Sequence, residues 1–285
     1  MIVDGHVHVW PRWPHSPPVP DAKTRGGAEH LLFEMDACGV DRAIVVSAAI
    51  EGMRDNNDYV GSVVAAHPDR LVQLVDVDSR WSDAYHRPGA ADRLCRLVDR
   101  YQPVGLSHYL GPVDDGWLMS REGIDFFGVA AERGLIASLA APGPWHEDLW
   151  QVARRFPELC LLVNHLGGAT VDPAERGGML RSVLGGSDLP NLLVKVSGLY
   201  YGHPKPWDYP YTDRMHLVRC FYDAWGPERL VWSSDFPSNL AHVTYRQSLE
   251  LIREHAPFLS PGELDGVLGG NVRRWLPTEI GADRG

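Results

Sequence analysis

The chain has 285 residues, of which 44% are hydrophobic and 22% charged, a balance that excludes disorder and a coiled coil. Its 27 Lys+Arg against 37 Asp+Glu leave a formal charge of −10. Such a chain repels phosphate backbones and anionic lipid, so the expected partner is a small-molecule substrate, with neither nucleic acid nor membrane; a homo-oligomer stays open.

The first apolar run, residues 2–8, carries Asp4, His6 and His8 and so does not read as a signal peptide. No run along the chain is long enough to cross a bilayer. A proline-rich loop at 10–27 follows, then a helical pattern with Leu31, Met35 and Cys38 on one face. Further apolar, β-branched runs stand at 42–47, 71–77, 104–108, 135–140, 159–165, 192–196 and 230–234. Several are apolar at nearly every position, as strands covered on both faces are. Helical patterns separate most of them, one with Ile124, Phe127 and Ala131 on a face. A second long loop is expected at 202–210, after the seventh run. Ser260, Pro261 and Glu263 form a capping box with proline at the first helical position. It opens a helix bearing Leu264, Val267, Leu268 and Trp275. Cys38, Cys95, Cys160 and Cys220 are widely spread, with no CxxC. They read as buried reduced thiols, which points to the cytoplasm.

Eight strand runs alternating with helices predict an α/β fold, a single distorted (β/α)8 TIM-like barrel domain over residues 1–285. An open doubly wound sheet is the competitor, but no GxGxxG follows the first strand. In a barrel both long loops lie over the C-terminal mouth, where active sites form.

Chemistry gathers at the strand ends. His6 and His8, two apart on a strand, project to the same side as ligands of one metal or as paired donors to one substrate. His165 ends the sixth strand and is followed by two glycines. Asp235 stands just past the eighth strand, where a carboxylate needs a cation, donors or a proton. The eighth strand of a closed barrel neighbours the first, which would bring Asp235 to His6 and His8. Lys195, in a buried-looking strand, is expected to end against a carboxylate rather than serve as a substrate donor. His108, Tyr109, Tyr200, Tyr201 and Trp10 are candidate substrate-binding residues in loops rich in Trp and Tyr. Arginine is scarce near the strand ends, so the mouth suits a flat, largely neutral ring rather than a dicarboxylate.

These residues resemble the amidohydrolase superfamily, most of all the branch of sugar-acid lactonases and 2-pyrone-4,6-dicarboxylate lactonase, with metal-dependent decarboxylases more distant. The similar pieces are Asp4-Gly5-His6-Val7-His8, Asn164-His165-Leu166-Gly167, Lys195-Val196-Ser197-Gly198, Gly226-Pro227-Glu228-Arg229-Leu230, Ser234-Asp235-Phe236-Pro237 and Gly270-Asn271-Val272-Arg273-Arg274. Asn271 and Arg273 are expected to tie the last helix to the barrel rather than to act on substrate. The resemblance implies a distorted TIM barrel and a hydrolase. Two departures bear on the metal. The fourth strand lacks the lysine that bridges two metals in the family, and Ala140-Ala141-Pro142 replaces the histidine that follows the fifth strand in mononuclear members. A binuclear site is thereby excluded. The cofactor expectation is either none required or one divalent cation, zinc favoured, on His6, His8, His165 and Asp235. The expected reaction is opening of a lactone or related cyclic ester by water that Asp235 activates, with His165 as the second catalytic group. The alternative is metal-dependent decarboxylation of a small aromatic or unsaturated acid.

Overall fold

The computed structural model describes residues 1–277 apart from residues 17, 51, 170–177 and 202. The first residue of the expected 202–210 loop therefore lies outside the described residues.

Eight parallel strands adjoin one another in chain order: β1 (Val3–Val7), β2 (Arg42–Val46), β3 (Leu71–Asp76), β4 (Gly105–Tyr109), β5 (Ile136–Ala140), β6 (Cys160–Val163), β7 (Leu192–Val196) and β8 (Leu230–Trp232). Each lies within two residues of an apolar run. The ring closes at the end of β8. Asp235 N–H donates to the His6 carbonyl at 2.9 Å and His8 N–H to the Phe236 carbonyl at 2.6 Å, beside a parallel bridge between Val7 and Phe236. The fold is thus an α/β TIM-like barrel.

Strand alternation sorts the core into two layers. Val3, Ile44, Leu74, Ile136, Leu162, Leu193 and Val231 fill the interior. The alternate residues, among them Val45, Val75, Leu106, Leu139, Leu161 and Val194, pack outward against the helices.

The helices include α1 (Ala28–Cys38), α2 (Asn56–Ala66), α3 (Ala90–Tyr101), α4 (Arg121–Glu132), α5 (His146–Arg155), α6 (Gly178–Leu184), α7 (Thr212–Trp225) and α8 (Tyr245–Arg253). Leu31, Met35 and Cys38 are the buried face of α1. On α4 the buried face is Gly123, Phe126, Phe127 and Ala130, so Ile124 and Ala131 lie on its flank, displaced by one position from the expected stripe. The Ser260 capping box forms, but the helix it opens is short: α9 (Pro261–Asp265) passes through a π turn at Gly266–Gly270 into α10 (Asn271–Arg273). Asn271 does tie this end to the barrel, its Nδ2 donating to the Pro227 and Leu230 carbonyls at 2.7 and 2.8 Å. Among the described residues, Arg273 reaches the Met1 sulfur, at 3.9 Å. All four cysteines are free thiols; Cys38 and Cys160 are buried, Cys95 and Cys220 half-buried. Among the described residues no helix is long and apolar enough to cross a membrane.

Candidate active site

A bulge in β1 creates the site. Between Asp4 and Val7 the strand advances three residues while its neighbour advances two, from Ala43 to Val45. The extra residue reverses the alternation. Val3 points into the barrel, yet Val7, four positions on, packs outward with the helices. His6 and His8 consequently take the inward face that strict alternation from Val3 would have denied them. Gly5 makes this packing feasible: a Cβ there would lie 2.5 Å from Val231 Cγ1 and 2.8 Å from Ser233 Oγ. Asp4 staples the bulge to β8, its Oδ1 accepting from His6 N–H at 3.1 Å and Ser234 N–H at 2.9 Å, its Oδ2 from the Tyr245 hydroxyl at 2.9 Å.

His6, His8, His165 and Asp235 converge at the C-terminal mouth. Asp235 Oδ1 lies 3.6 Å from His6 Nε2 and 3.9 Å from both His8 Nε2 and His165 Nε2. His6 and His8 face each other through their Nε2 atoms at 2.9 Å. Asp235 Oδ2 accepts from the Tyr200 hydroxyl at 3.1 Å and closely from the Tyr201 hydroxyl. The outer nitrogens are also held. His8 Nδ1 donates to the Val46 carbonyl at 2.6 Å, and His165 Nδ1 pairs with Ser197 Oγ at 2.8 Å. His6 Nδ1 pairs with Lys195 Nζ at 2.7 Å, and that nitrogen donates to Ser138 Oγ at 2.7 Å.

Burial governs the electrostatics. Desolvation pushes the His8 imidazole down to about 4 and carries His6 well below the ordinary histidine range, with the Lys195 charge adding to the effect on His6. His165 is lowered for the same first reason, partly opposed by Asp235. The histidines are therefore neutral at neutral pH, the state a metal ligand requires. Lys195 is fully buried, and desolvation lowers it well below the ordinary lysine value.

The donor set fits one divalent cation. The facing atoms of His6, His8 and Asp235 all lie within 4.8 Å of one another. The Val46 carbonyl can only accept, so His8 carries its proton on Nδ1 and turns an Nε2 lone pair to the centre. A neutral Lys195 amine accepts from His6 Nδ1–H and frees the His6 Nε2 lone pair likewise. An ammonium at Lys195 instead donates to Nδ1, and His6 Nε2–H then donates to His8. The first arrangement leaves two Nε2 lone pairs facing each other at 2.9 Å, as a shared cation would require, whereas the second joins them by a hydrogen bond without one.

The remaining candidates divide. Trp10 is buried, stacks on His8 with centroids 4.9 Å apart, and donates from Nε1 to the Ala48 carbonyl. Tyr109 points inward, its hydroxyl 3.4 Å from His8 Nε2. His108 does not join them. As the neighbour of Tyr109 on β4 it faces outward, with Nδ1 donating to the Val77 carbonyl at 2.7 Å and its ring packed among His86, Trp117 and Phe126. Tyr200 and Tyr201 are brought to the site, but their hydroxyls engage Asp235. Lys195 meets a histidine and a serine rather than a carboxylate; Ser138 and Ser197 were not among the expected site residues, although Ser197 lies in the Lys195-Val196-Ser197-Gly198 piece. The signal for both serines was alternation: Ser138 shares the inward face of β5 with Ile136, and Ser197 stands two beyond Lys195.

A family model described as amidohydrolase matches residues 3–278. An uncharacterised protein of Sinorhizobium fredii is 27% identical over 115 residues, which span 40% of this chain and only 38% of that protein. A D-galactarolactone isomerase of Agrobacterium fabrum is 25% identical, covering 99% of this chain and 87% of its own. Solved structures share the fold. An amidohydrolase of Burkholderia multivorans with bound zinc has a TM-score of 0.77 at 19% identity, covering 97% of this chain and all of its own (100%). A probable 2-pyrone-4,6-dicarboxylic acid hydrolase of Acinetobacter baumannii has a TM-score of 0.75 at 17% identity, with 96% and 98% covered. A 5-carboxyvanillate decarboxylase of Sphingomonas paucimobilis has a TM-score of 0.66 at 17% identity, again with 96% and 98% covered.

Proposed function

This chain is an enzyme of the amidohydrolase family, and from that premise we propose that it opens a lactone or related cyclic ester with water activated by Asp235. The observation that carries the reading is the carboxylate itself, with one oxygen held by two phenols and the other turned toward three imidazoles. Asp235 Oδ1 takes a proton from water as the oxygen attacks the ester carbonyl. His165 is the least buried of the three histidines at 23% side-chain exposure. With the Ser197 hydroxyl donating to Nδ1, its Nε2–H donates to the developing oxyanion. Collapse breaks the ring C–O bond, and the leaving oxygen recovers the proton from Asp235, giving the hydroxy acid. Tyr109 walls the mouth beside His8, whose ring Trp10 backs by stacking, and suits a flat, uncharged ring.

A divalent cation, zinc favoured, held by His6, His8 and Asp235, whose facing atoms lie within 4.8 Å of one another, would polarise the carbonyl and acidify the water. The zinc in the Burkholderia structure supports that option. The name of the Agrobacterium relative supports a lactone as substrate class. The decarboxylase sharing the fold keeps a second reading in view, removal of a carboxyl group from a small aromatic or unsaturated acid.

A lactone panel separates the two, run on enzyme purified without added metal and again after dialysis against chelator. Hydrolysis of an uncharged lactone that survives chelation is the expected result. Carbon dioxide release from an aromatic acid, abolished by chelator and restored by zinc or manganese, would replace lactone opening with the second reading.

A further inference from the structure

One short segment services almost the whole constellation. Residues 195–201, the end of β7 and the turn after it, supply Lys195 to His6, Ser197 to His165, and Tyr200 and Tyr201 to Asp235. Gly198 makes the last contact attainable. Its φ of 68° is in the left-handed region, and a Cβ there would lie 2.5 Å from Tyr201 Cδ2.

The two tyrosines are placed to act on the carboxylate. Tyr200 is buried, with its ring stacked on His242 at 4.5 Å, so it offers no open surface to a ligand. Tyr201 is 43% exposed, but its hydroxyl is spent on Asp235 Oδ2. A carboxylate oxygen offers about two lone-pair sites, and the two phenols fill those of Oδ2. Turning the carboxylate to exchange its oxygens would break both bonds. We propose that Tyr200 and Tyr201 are positioning residues that make the two oxygens of Asp235 unequal, reserving Oδ1 alone for the water proton or for single-point ligation of a cation. This deepens the hydrolase reading and rests on it for its kinetic consequence; the geometric consequence stands apart.

The test uses Tyr200→Phe, Tyr201→Phe and the double variant, which keep the rings. On a lactone opened by the parent enzyme, each single change lowers kcat about tenfold, the scale of one charge-assisted hydrogen bond, with KM held. In an Asp235→Asn background the same changes cause no further loss. A raised KM with unchanged kcat, or an undiminished loss in that background, would overturn the proposal in favour of direct substrate contact. Infrared difference spectra of isotope-labelled aspartate, parent minus Asp235→Asn, read the carboxylate without turnover. The antisymmetric stretch of Asp235 is expected to shift in both tyrosine variants; an unmoved band overturns the clamp. A shifted band in an enzyme that opens no lactone upholds the clamp and overturns the hydrolase reading.

Discussion

Asp235 occupies left-handed backbone space at φ 62°, and His165 does so at φ 49°. Such conformations cost non-glycine residues on the order of 1–3 kcal/mol and persist where the surroundings over-determine them. At Asp235 the surroundings are its N–H on the His6 carbonyl and two phenols on its side chain. Asparagine tolerates the left-handed region as well as aspartate does, so Asp235→Asn is expected to fold normally. An amide cannot take a proton from water. Turnover should therefore fall on the order of a hundredfold or more, the scale of general-base catalysis. Initial rates on the best lactone, with circular dichroism as the folding control, check this. A variant with near-parental turnover would transfer the base role to His165.

At the scale of the element, the bulge in β1 converts a strand into a ligand bearer. Gly5 stands where β1 and β8 meet, so any side chain there presses on Val231 and Ser233 and, through them, on the turn that carries Asp235. Gly5→Ala is expected to cost about 2 kcal/mol, in the range of overpacked cores. It should also lower turnover, because the strand parts at the point that aligns His6 with Asp235. Urea denaturation followed by tryptophan fluorescence measures the first effect and lactone hydrolysis the second. An alanine variant of unchanged stability would mean that β1 holds its inward histidines without the close approach.

At the scale of the molecule, Asp76 at the end of β3 binds separate parts of the mouth together. Its carboxylate accepts from Ser79 Oγ at 2.5 Å, Ala49 N–H at 2.7 Å and Trp81 Nε1 at 2.9 Å. Trp81 packs on Tyr109, with centroids 4.7 Å apart, and Tyr109 reaches His8. Desolvation outweighs the three donors and raises the Asp76 carboxyl from 3.8 to about 6. The folded state thus binds this proton more tightly than the unfolded state. The stabilisation it confers is full below pH 3.8 and is lost as pH rises through about 6. The difference is about 3 kcal/mol at 1.36 kcal/mol per pH unit. Asp76→Asn removes the titration, so the stability of the parent relative to the variant should decline by about that amount between about pH 3 and pH 7. Denaturation curves at several pH values check it, and a pH-independent difference would rule the linkage out.

The barrel was legible in the sequence because burial on both faces writes itself as short, wholly apolar runs, and eight of them separated by helices admit few closed arrangements. His6, His8, His165 and Asp235 were legible because polar groups at the ends of such runs need partners. Their convergence followed from β8 lying beside β1. Alternation within β4 was also written in the sequence: Leu106 and His108 share one face, so His108 could not line the mouth with Tyr109. What tertiary structure alone decided was parity and partnership. A bulge adds one residue to the pairing of β1 with β2 and leaves no apolar or polar signature, so the inward turn of His6 and His8 depended on the packing of Gly5 against β8. Likewise, whether a tyrosine hydroxyl meets a ligand or a carboxylate is settled by contacts between β7 and β8, which no local pattern encodes. Lys195 shows the same limit: its buried position was readable, but its choice of His6 over a carboxylate arises from residues 189 apart in the chain meeting inside a closed barrel.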